Sequence, residues 1–597
     1  MILQALKEYY DRKAVDPDSG IAPLGWERKE IPYLIVLRED GLLLRVEDTQ
    51  ELLGKKRRAK TFLVPQSVKR SSGVASNLLW DNVEYVTGVA CKGKSDRVAA
   101  QHEAFVARLS ELSDCPSVAP IRAFLSQPDY REQLTTCPEW SGAVESCAFV
   151  SFKVVGEPEP ICNAPDVKKH VDAENVSKMD DTAQTICLVS GDHDSLAKLH
   201  PAIKGVQGTN TTGGNIVSFN FPAAWSFGKS QGENAPVGER AAFKYTTALN
   251  LLLAKDSHQK MTVGDATAVF WSERKTSLED EFADLFGEPA KDNPDRGVDA
   301  VERLLASVRS GSFSHEDDTT RFYVLGLAPN SARISVRFWH VGAVAEMERR
   351  FADWFENLQI VHGPKDKEHL SLMRLLLSTA PYNKDFQKWK ANLSPNLAGA
   401  VMRSILEGTP YPATLLSSAI LRIKAEHEVT YPRAKIIKAF INHNLNQERK
   451  LTVSLDKGNA NVGYRLGRLF AVLEQIQLAA NDYKSPNATI RDKFYAAASS
   501  TPAAVFGNLM RLKNHHLSKL SKTGFYESLI GEILYRDSEH PGVQSFPTHL
   551  PLQDQGMFAI GYYHQRQDFF AGKQTKKDDD SVKDTKSAPE GAAQQEL

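Results

Sequence analysis

Cysteine is scarce in this chain and nowhere paired. Six cysteines are scattered through 597 residues (Cys91, Cys115, Cys137, Cys147, Cys162, Cys187), with no CxxC step and no regular spacing. A disulfide framework is excluded as the basis of the fold, and the pattern predicts reduced, buried thiols in a cytoplasmic protein. Net charge is lacking too. The 73 Lys and Arg are balanced by 74 Asp and Glu, a formal charge of −1, so any nucleic-acid site must be a local patch. No apolar run approaches the ~18 residues that span a bilayer, and no basic-then-apolar secretion signal opens the chain, so no membrane partner is expected. Catalytic signatures are missing: there is no GxSxG, no HExxH and no paired His–Asp metal cluster, and the carboxylates are scattered. Neither enzyme activity nor a metal or cofactor is predicted. Cys162, Cys187, His193 and His200 come nearest to a zinc set. Their spacings are irregular and no two form a close ligand pair, which favours core thiols and a surface histidine.

What is present is an ordinary globular composition, 42% hydrophobic and 25% charged, in a chain long enough for two or more domains. Residues 2–13 have the pattern of a short amphipathic helix. Tyr33 to Asp48 reads as a hairpin, two apolar runs around Asp40-Gly41, a dipeptide that tolerates the positive φ of a primed turn. Gly54 to Arg70 then carries seven cations (Lys55, Lys56, Arg57, Arg58, Lys60, Lys69, Arg70) and no carboxylate. The strand Thr61–Val64, ended by Pro65, splits them into two clusters. The small-residue loop Ser71 to Asn77 and the strand Val83 to Val89 follow. The run is either a solvated surface or a nucleic-acid contact. The lack of neutralising acids, a Gly-Ser loop able to enter a groove, and Asn77 and Asn82 as partners for base edges point to the second.

Gly88 to Ser95 matches the phosphate-binding pattern GxxxxGK[ST] and precedes a helical run from Arg97, so a nucleotide-binding protein or nuclease is the alternative class. The preceding strand Asp81 to Thr87 alternates polar and apolar residues, whereas a phosphate-loop strand is buried and continuously apolar. No later apolar strand ends in a metal-holding Asp. Lys92 and Lys94 are therefore expected to extend the basic face.

Leu199 to Leu253 is the stretch around which the chain is organised. Lys204 to Asn215 is rich in Gly, Thr and Asn, and the strand-like run Asn215–Asn220 and a second polar loop come next. An amphipathic helix follows Pro236. A polar loop this long is functional or disordered, and the interspersed Phe219, Phe221, Trp225 and Phe227 argue for order. Lys204, Gln207, Asn210, Thr211, Thr212, Asn215, Lys229 and Gln231 gather donors around glycines, which suits phosphates or a minor groove. A buried loop satisfying its own backbone is the bland alternative.

This stretch (LHPAIKGVQG, IVSFN, GKSQGENAPVGERAAFKYTTALN) resembles the signature large subunit of the subtype I-C CRISPR surveillance complex (Cascade). The likeness extends to MILQALKEYYDRK, WDNVEYVTGV, LGLAPNSARISVRFW and GYYHQRQDFF, in the same order over nearly the whole chain. It implies a non-catalytic subunit that recognises the short flanking motif (PAM) in double-stranded target DNA and helps open the duplex. By position, that role falls on Lys69, Arg70, Ser71, Ser72, Gly73 and Asn77. The resemblance also implies partners: the guide crRNA complex with its repeated backbone subunits and 5′-handle-binding subunit, a recruited helicase-nuclease, and a small subunit made from the same gene by internal translation.

Downstream, Cys147 to Val155, Ile186 to Val189 and Thr262 to Glu273 read as strands and Leu278 to Phe286 as a helix. Phe322 to Trp339 forms a hairpin with Arg333 and Arg337 on one face and Ile334, Val336 and Phe338 on the other, and a helix Val344 to Leu358 follows. From about residue 365 the periodicity is almost wholly helical. Two basic faces stand out, Arg433, Lys435 and Lys438, then Arg511, Lys513, Lys519 and Lys522. The resemblance implies that they support target strands through phosphate contacts. The expected fold is α+β, a mixed N-terminal region with antiparallel hairpins and an all-α C-terminal bundle. Its expected parts are 1–130, 131–364, 365–571 and a disordered tail 572–597.

Overall fold

The computed structural model describes residues 1–585 apart from 54–55, 69, 71–72, 181–183, 289–292, 294, 311–318, 332, 395, 446–449, 484–488, 522 and 536–541, with side chains at all of these except 53, 56, 176–180, 184 and 571–585. The chain divides into two compact units, Met1–Gly205 with Asn210–Ala254, and Val206–Thr209 with the remainder from Lys255.

In the first unit, β1 (Trp26–Glu30) is followed by β2 (Tyr33–Leu37), β3 (Leu43–Asp48), β4 (Gln50–Leu53), β5 (Lys56–Ala59), β6 (Thr61–Pro65), β7 (Trp80–Asn82) and β8 (Phe149–Val154). The central sheet has the order β3-β2-β8-β7, with β2 parallel to β8 and antiparallel to β3. The unbroken run Tyr-Leu-Ile-Val-Leu makes β2 buried at every position, as a strand covered on both faces must be. The loop of the β2–β3 hairpin spans 38–42. Gly41 adopts φ +86, and Asp40 Oδ1 accepts the Leu42 N–H. β1 pairs with β6, and β4 with β5, as two-stranded ribbons. A smaller ribbon joins β9 (Gln184–Ile186) to β10 (His193–Ser195). The helix Ile2–Ala14 lies against Glu239–Leu252, where Tyr10 meets Phe243 edge-on and Lys244 pairs with Asp11 at 2.7 Å.

The second unit opens with a four-stranded antiparallel meander, β11 (Lys260–Val263), β12 (Ala266–Ser272), β13 (Arg321–Asn330) and β14 (Arg333–Ala343). The last hairpin carries a bulge. Leu327 pairs with Val336 but Gly326 with Phe338, which leaves Arg337 unpaired. Ile334 and Phe338 therefore face the core, while Val336, expected beside them, is exposed. One apolar core runs from Val263 through Phe351, Leu376 and Leu415 to Tyr563. It joins the sheet, the helix Val344–Leu358 and the bundle across residue 365, because the helices finish the burial that the sheet begins. The helix Val462–Ala480 is held against the terminal helix Leu552–Thr585 by glycine. A Cβ on Gly467 would overlap the Phe558 carbonyl oxygen, and one on Gly561 would overlap that of Tyr464. The stretch expected as a disordered tail continues this helix to Thr585, and residues 586–597 lie outside the described residues.

Candidate nucleic-acid interface

The basic part of the first unit hangs from one short helix. The run expected as a strand from Val83 is instead the helix Val83–Thr87, capped by Asn82, whose side chain accepts the Tyr85 N–H. All five helical residues are buried, so the polar–apolar alternation carried no strand information and the capping Asn was the informative residue. Next to it, Asp81 is buried and gathers donors. Arg70 pairs with it, donates from Nε to the Ala75 carbonyl at 2.7 Å, and lies 4.1 Å from the centre of the Tyr85 ring. Asn77 is buried as well. Its backbone N–H donates to Asp81 Oδ2 at 3.0 Å, and its side-chain oxygen accepts the Val68 N–H. Asn77 and Asn82, expected at base edges, therefore face inward and hold the loop that carries Arg70.

The turn with the phosphate-loop pattern hangs from the next residue. Glu84 Oε1 accepts the amides of Cys91, Lys92 and Gly93 at 3.0, 2.8 and 2.6 Å. A nest of backbone amides that could bind an oxyanion is thus filled by the protein's own carboxylate. Burial raises this carboxyl group's pKa, and the three amides outweigh it and hold the group below the ordinary glutamate range. The element before the turn is a helix, not the buried strand of a nucleotide site. Lys92 and Lys94 are left exposed and form no ion pair among the described residues.

Lys29 of β1 completes the cluster. Its ammonium lies 4.0 Å from the Phe149 ring centre and 5.1 Å from that of Trp80. Burial lowers its pKa, and the charges of Lys204 and Arg70 act in the same direction against Glu27 and Asp81. Lys29, on the Trp80 ring, and Arg70, on Asp81, are thereby set beside adjacent residues although distant in sequence, and the charge of Lys204 acts on Lys29. Nothing in Trp-Glu-Arg-Lys-Glu flags Lys29, because only the β1–β6 pairing places it. The β4–β5 ribbon is less basic than its sequence: Arg57 meets Asp48, and Arg58 meets Glu30, each at 3.5 Å. The neutralising acids come from neighbouring strands. Lys60 is exposed beside Phe62, and Gly73 is exposed with open space around it. Lys55, Lys69, Ser71, Ser72 and the Lys56 side chain lie outside the described residues.

The Gly/Thr loop is tied down chiefly through its backbone. Ile203 bridges to Gly214, Lys204 N–H donates to Asn250 Oδ1 at 2.8 Å, and Asn215 Nδ2 donates to the carbonyls of His200 and Pro201. Asn215 is thus structural, and 215–220 forms no strand. The exposed side chains of Lys204, Asn210, Thr211, Thr212 and Lys229 remain available. Gln207 belongs to the second unit, where its N–H donates to Thr267 and its side-chain oxygen accepts from Lys390 at 3.4 Å. Gln231 is half-buried at φ +45, and its carbonyl accepts from Asn234. Of the aromatics expected to order the loop, Phe219 is half-buried, while Phe221, Trp225 and Phe227 are exposed, Phe227 to 99%; hydrogen bonds from Asn234 and the Ser230–Glu233 capping box supply order there.

Of the two basic helical faces, the first is internal. Arg433, Lys435 and Lys438 are 5%, 5% and 2% exposed. Lys435 donates to the carbonyls of Leu358 and Glu368, and Lys438 to that of Asn357. Both therefore cap the C-terminus of the helix Val344–Leu358, where free carbonyls and the helix dipole attract cations. Arg433 pairs with Glu426 and donates to the Ser378 and Glu428 carbonyls. The cations that the resemblance set against target strands are each matched to a carbonyl from another element. The second face lies on Pro502–Leu517 and just beyond. Arg511 and Lys519 are exposed, Lys513 is half-buried, and none has an acidic partner among the described residues; Lys522 lies outside them.

The zinc set weighed from sequence does not assemble. Cys162 is buried against the Leu63 carbonyl and His200 against Tyr245, while His193 is exposed. Among the described residues one group could share an ion: Glu84, Cys91 and Cys147, with ligand atoms within 4.8 Å of one another. No helix among them is long and apolar enough to cross a membrane.

The protein is α+β with a helical C-terminal part, and cations gather locally on a nearly neutral chain. The family model described as CRISPR-associated protein (Cas_Csd1) matches residues 6–570, and the chain belongs to that family. No curated protein matches the chain.

Proposed function

We propose that this protein is the large subunit of a subtype I-C guide-RNA surveillance complex, that it recognises the PAM in double-stranded target DNA, and that it promotes duplex opening and R-loop formation without catalysing a reaction. Sequence reading is then left to guide pairing, a division of labour the handled duplex shares with other RNA-guided effectors. Its partners are target DNA, the crRNA with the backbone and 5′-handle-binding subunits, a recruited helicase-nuclease, and a small subunit from the same gene, all in the cytoplasm. Membership of a CRISPR-associated family supports the setting. The observation that carries the reading is the placing of Arg70 on Asp81 and Tyr85 and of Lys29 on Trp80, beside the helix Val83–Thr87, with the exposed Lys92 and Lys94 on a turn fixed to that same helix and the charge of Lys204 acting on Lys29. Arg511, Lys513 and Lys519 are the cations proposed to support a target strand.

The test is duplex binding by the assembled complex carrying Lys29→Ala and Lys204→Ala. Loss of two phosphate contacts should weaken PAM-bearing duplex and flatten the log K against log salt slope by about 0.9 per contact. Assembly with crRNA should be unchanged. Wild-type affinity and slope in the double variant would remove the assignment.

A further inference from the structure

We propose that Glu84, Cys91 and Cys147 form a site for a thiophilic divalent cation, of the Zn²⁺ class, that pins the Lys92–Lys94 turn to the end of the helix Trp140–Ser146. The three ligand atoms lie within 4.8 Å of one another. Tetrahedral zinc with Zn–S near 2.3 Å and Zn–O near 2.0–2.2 Å needs ligand atoms about 3.5–3.8 Å apart, so the three side chains draw in to that spacing on binding. Glu84 Oε1 is committed to the amides of Cys91, Lys92 and Gly93, which leaves Oε2 for the cation and fixes its direction. Two sulfurs and one carboxylate oxygen suit Zn²⁺ better than Mg²⁺ or Ca²⁺, which take oxygen ligands. Solvent fills the fourth position.

A second observation is independent of the spacing. Cys147 closes the helix Trp140–Ser146 at φ +49, ψ +50, the left-handed position where glycine is the default residue. The N–H groups of Cys147 and Ala148 close the helix end onto Val144 and Ala143. A side chain at this position costs backbone energy, and such strain is kept where the side chain is used. Here it delivers a sulfur to the Cys91 thiol, and the Glu84 backbone N–H also donates to it. Binding is written as Zn²⁺ plus two thiols giving a dithiolate complex and two protons released to solvent, with no redox change.

The site can be tested on the full-length reduced chain alone, so its failure is distinguishable from failure of the DNA reading. Co²⁺ serves as the spectroscopic probe and Zn²⁺ as its competitor. One equivalent of Co²⁺ should bind with thiolate-to-metal charge-transfer absorption that Zn²⁺ abolishes. Cys147→Gly suits the left-handed backbone and should stay folded by circular dichroism. It should lose affinity by more than the ~10–100-fold that removal of a supporting contact causes. Cys91→Ser should behave alike, and Cys187→Ser, outside the site, should bind as wild type. Absence of the sulfur band, an unchanged band in Cys147→Gly, or a Cys91–Cys147 disulfide in a chain that takes up no metal after reduction would each overturn the proposal.

Discussion

Replacing Lys435 by Met distinguishes a buried structural cation from a DNA contact. Burial pushes the Lys435 ammonium down to about 8 from an ordinary 10.5, and Lys438 likewise to about 8. For such a lysine the unfolded chain binds more protons than the folded one between pH 8 and 10.5. Stability contributed by the residue therefore rises with pH through that window. Between pH 7.5 and 9.5 the linkage amounts to at most about 2 kcal/mol for one lysine at 1.36 kcal/mol per pKa unit. Buried thiols such as Cys162, raised to about 12, titrate with the opposite sign above pH 9. The quantity to measure is thus the difference in urea midpoint between wild type and Lys435→Met at each pH. Wild type should gain on the variant as pH rises. At pH 7.5 the variant should lose roughly 1–3 kcal/mol from the uncapped carbonyls of Leu358 and Glu368, offset in part by the desolvation it no longer bears. Target-DNA affinity of the assembled complex should not change beyond a few-fold. A flat difference curve together with a large loss of DNA affinity would refute the reasoning and restore Lys435 to the surface role its sequence suggested.

Gly561→Ala should destabilise the second unit by about 1–3 kcal/mol or more, because its Cβ would overlap the Tyr464 carbonyl; a melting temperature equal to wild type would refute that crossing. Glu84→Gln should loosen the 88–95 turn, seen as faster amide exchange at Cys91 to Gly93. The stability Glu84 contributes in wild type should be present above pH 4.5 and be lost as pH falls through its depressed folded value; an acid limb unchanged in the variant would count against the nest. A fragment of residues 453–597 should be soluble and helical and join the assembled complex beside the full chain, and its aggregation would count against a nested small subunit.

The helices were the most legible part of this chain. Val344–Leu358 falls where its apolar face predicts, and Ala413–Glu426 and Val462–Ala480 lie in the region read as almost wholly helical. Strands that needed partners to exist were less legible. The run after Asn215 forms none, and the alternation read over Asp81 to Thr87 gave way from Val83 to a helix capped by Asn82. The cations were read least well. Lys435 and Lys438 carry the same local pattern as Arg511 and Lys513, yet the first pair caps a helix some eighty residues upstream. Lys29 is invisible until β1 pairs with β6. Charge in a sequence reports availability only when the groups that could neutralise it are known, and those groups come from other elements.

The glycine-mediated crossing of Val462–Ala480 with Leu552–Thr585 also has a consequence in time. A ribosome must add residues 481 to 563 before the second helix can cover the first, which at about 5–20 residues per second takes on the order of 4–17 s. Until then Leu466, Leu469, Phe470 and Leu473, all buried in the finished protein, lack their closest neighbour. A nested product begun near residue 453 would make this helix within seconds of initiation and wait just as long for its mate. Both products therefore depend on the same late segment, and a stop codon before about residue 550 should yield chains that aggregate during synthesis rather than shortened subunits that assemble.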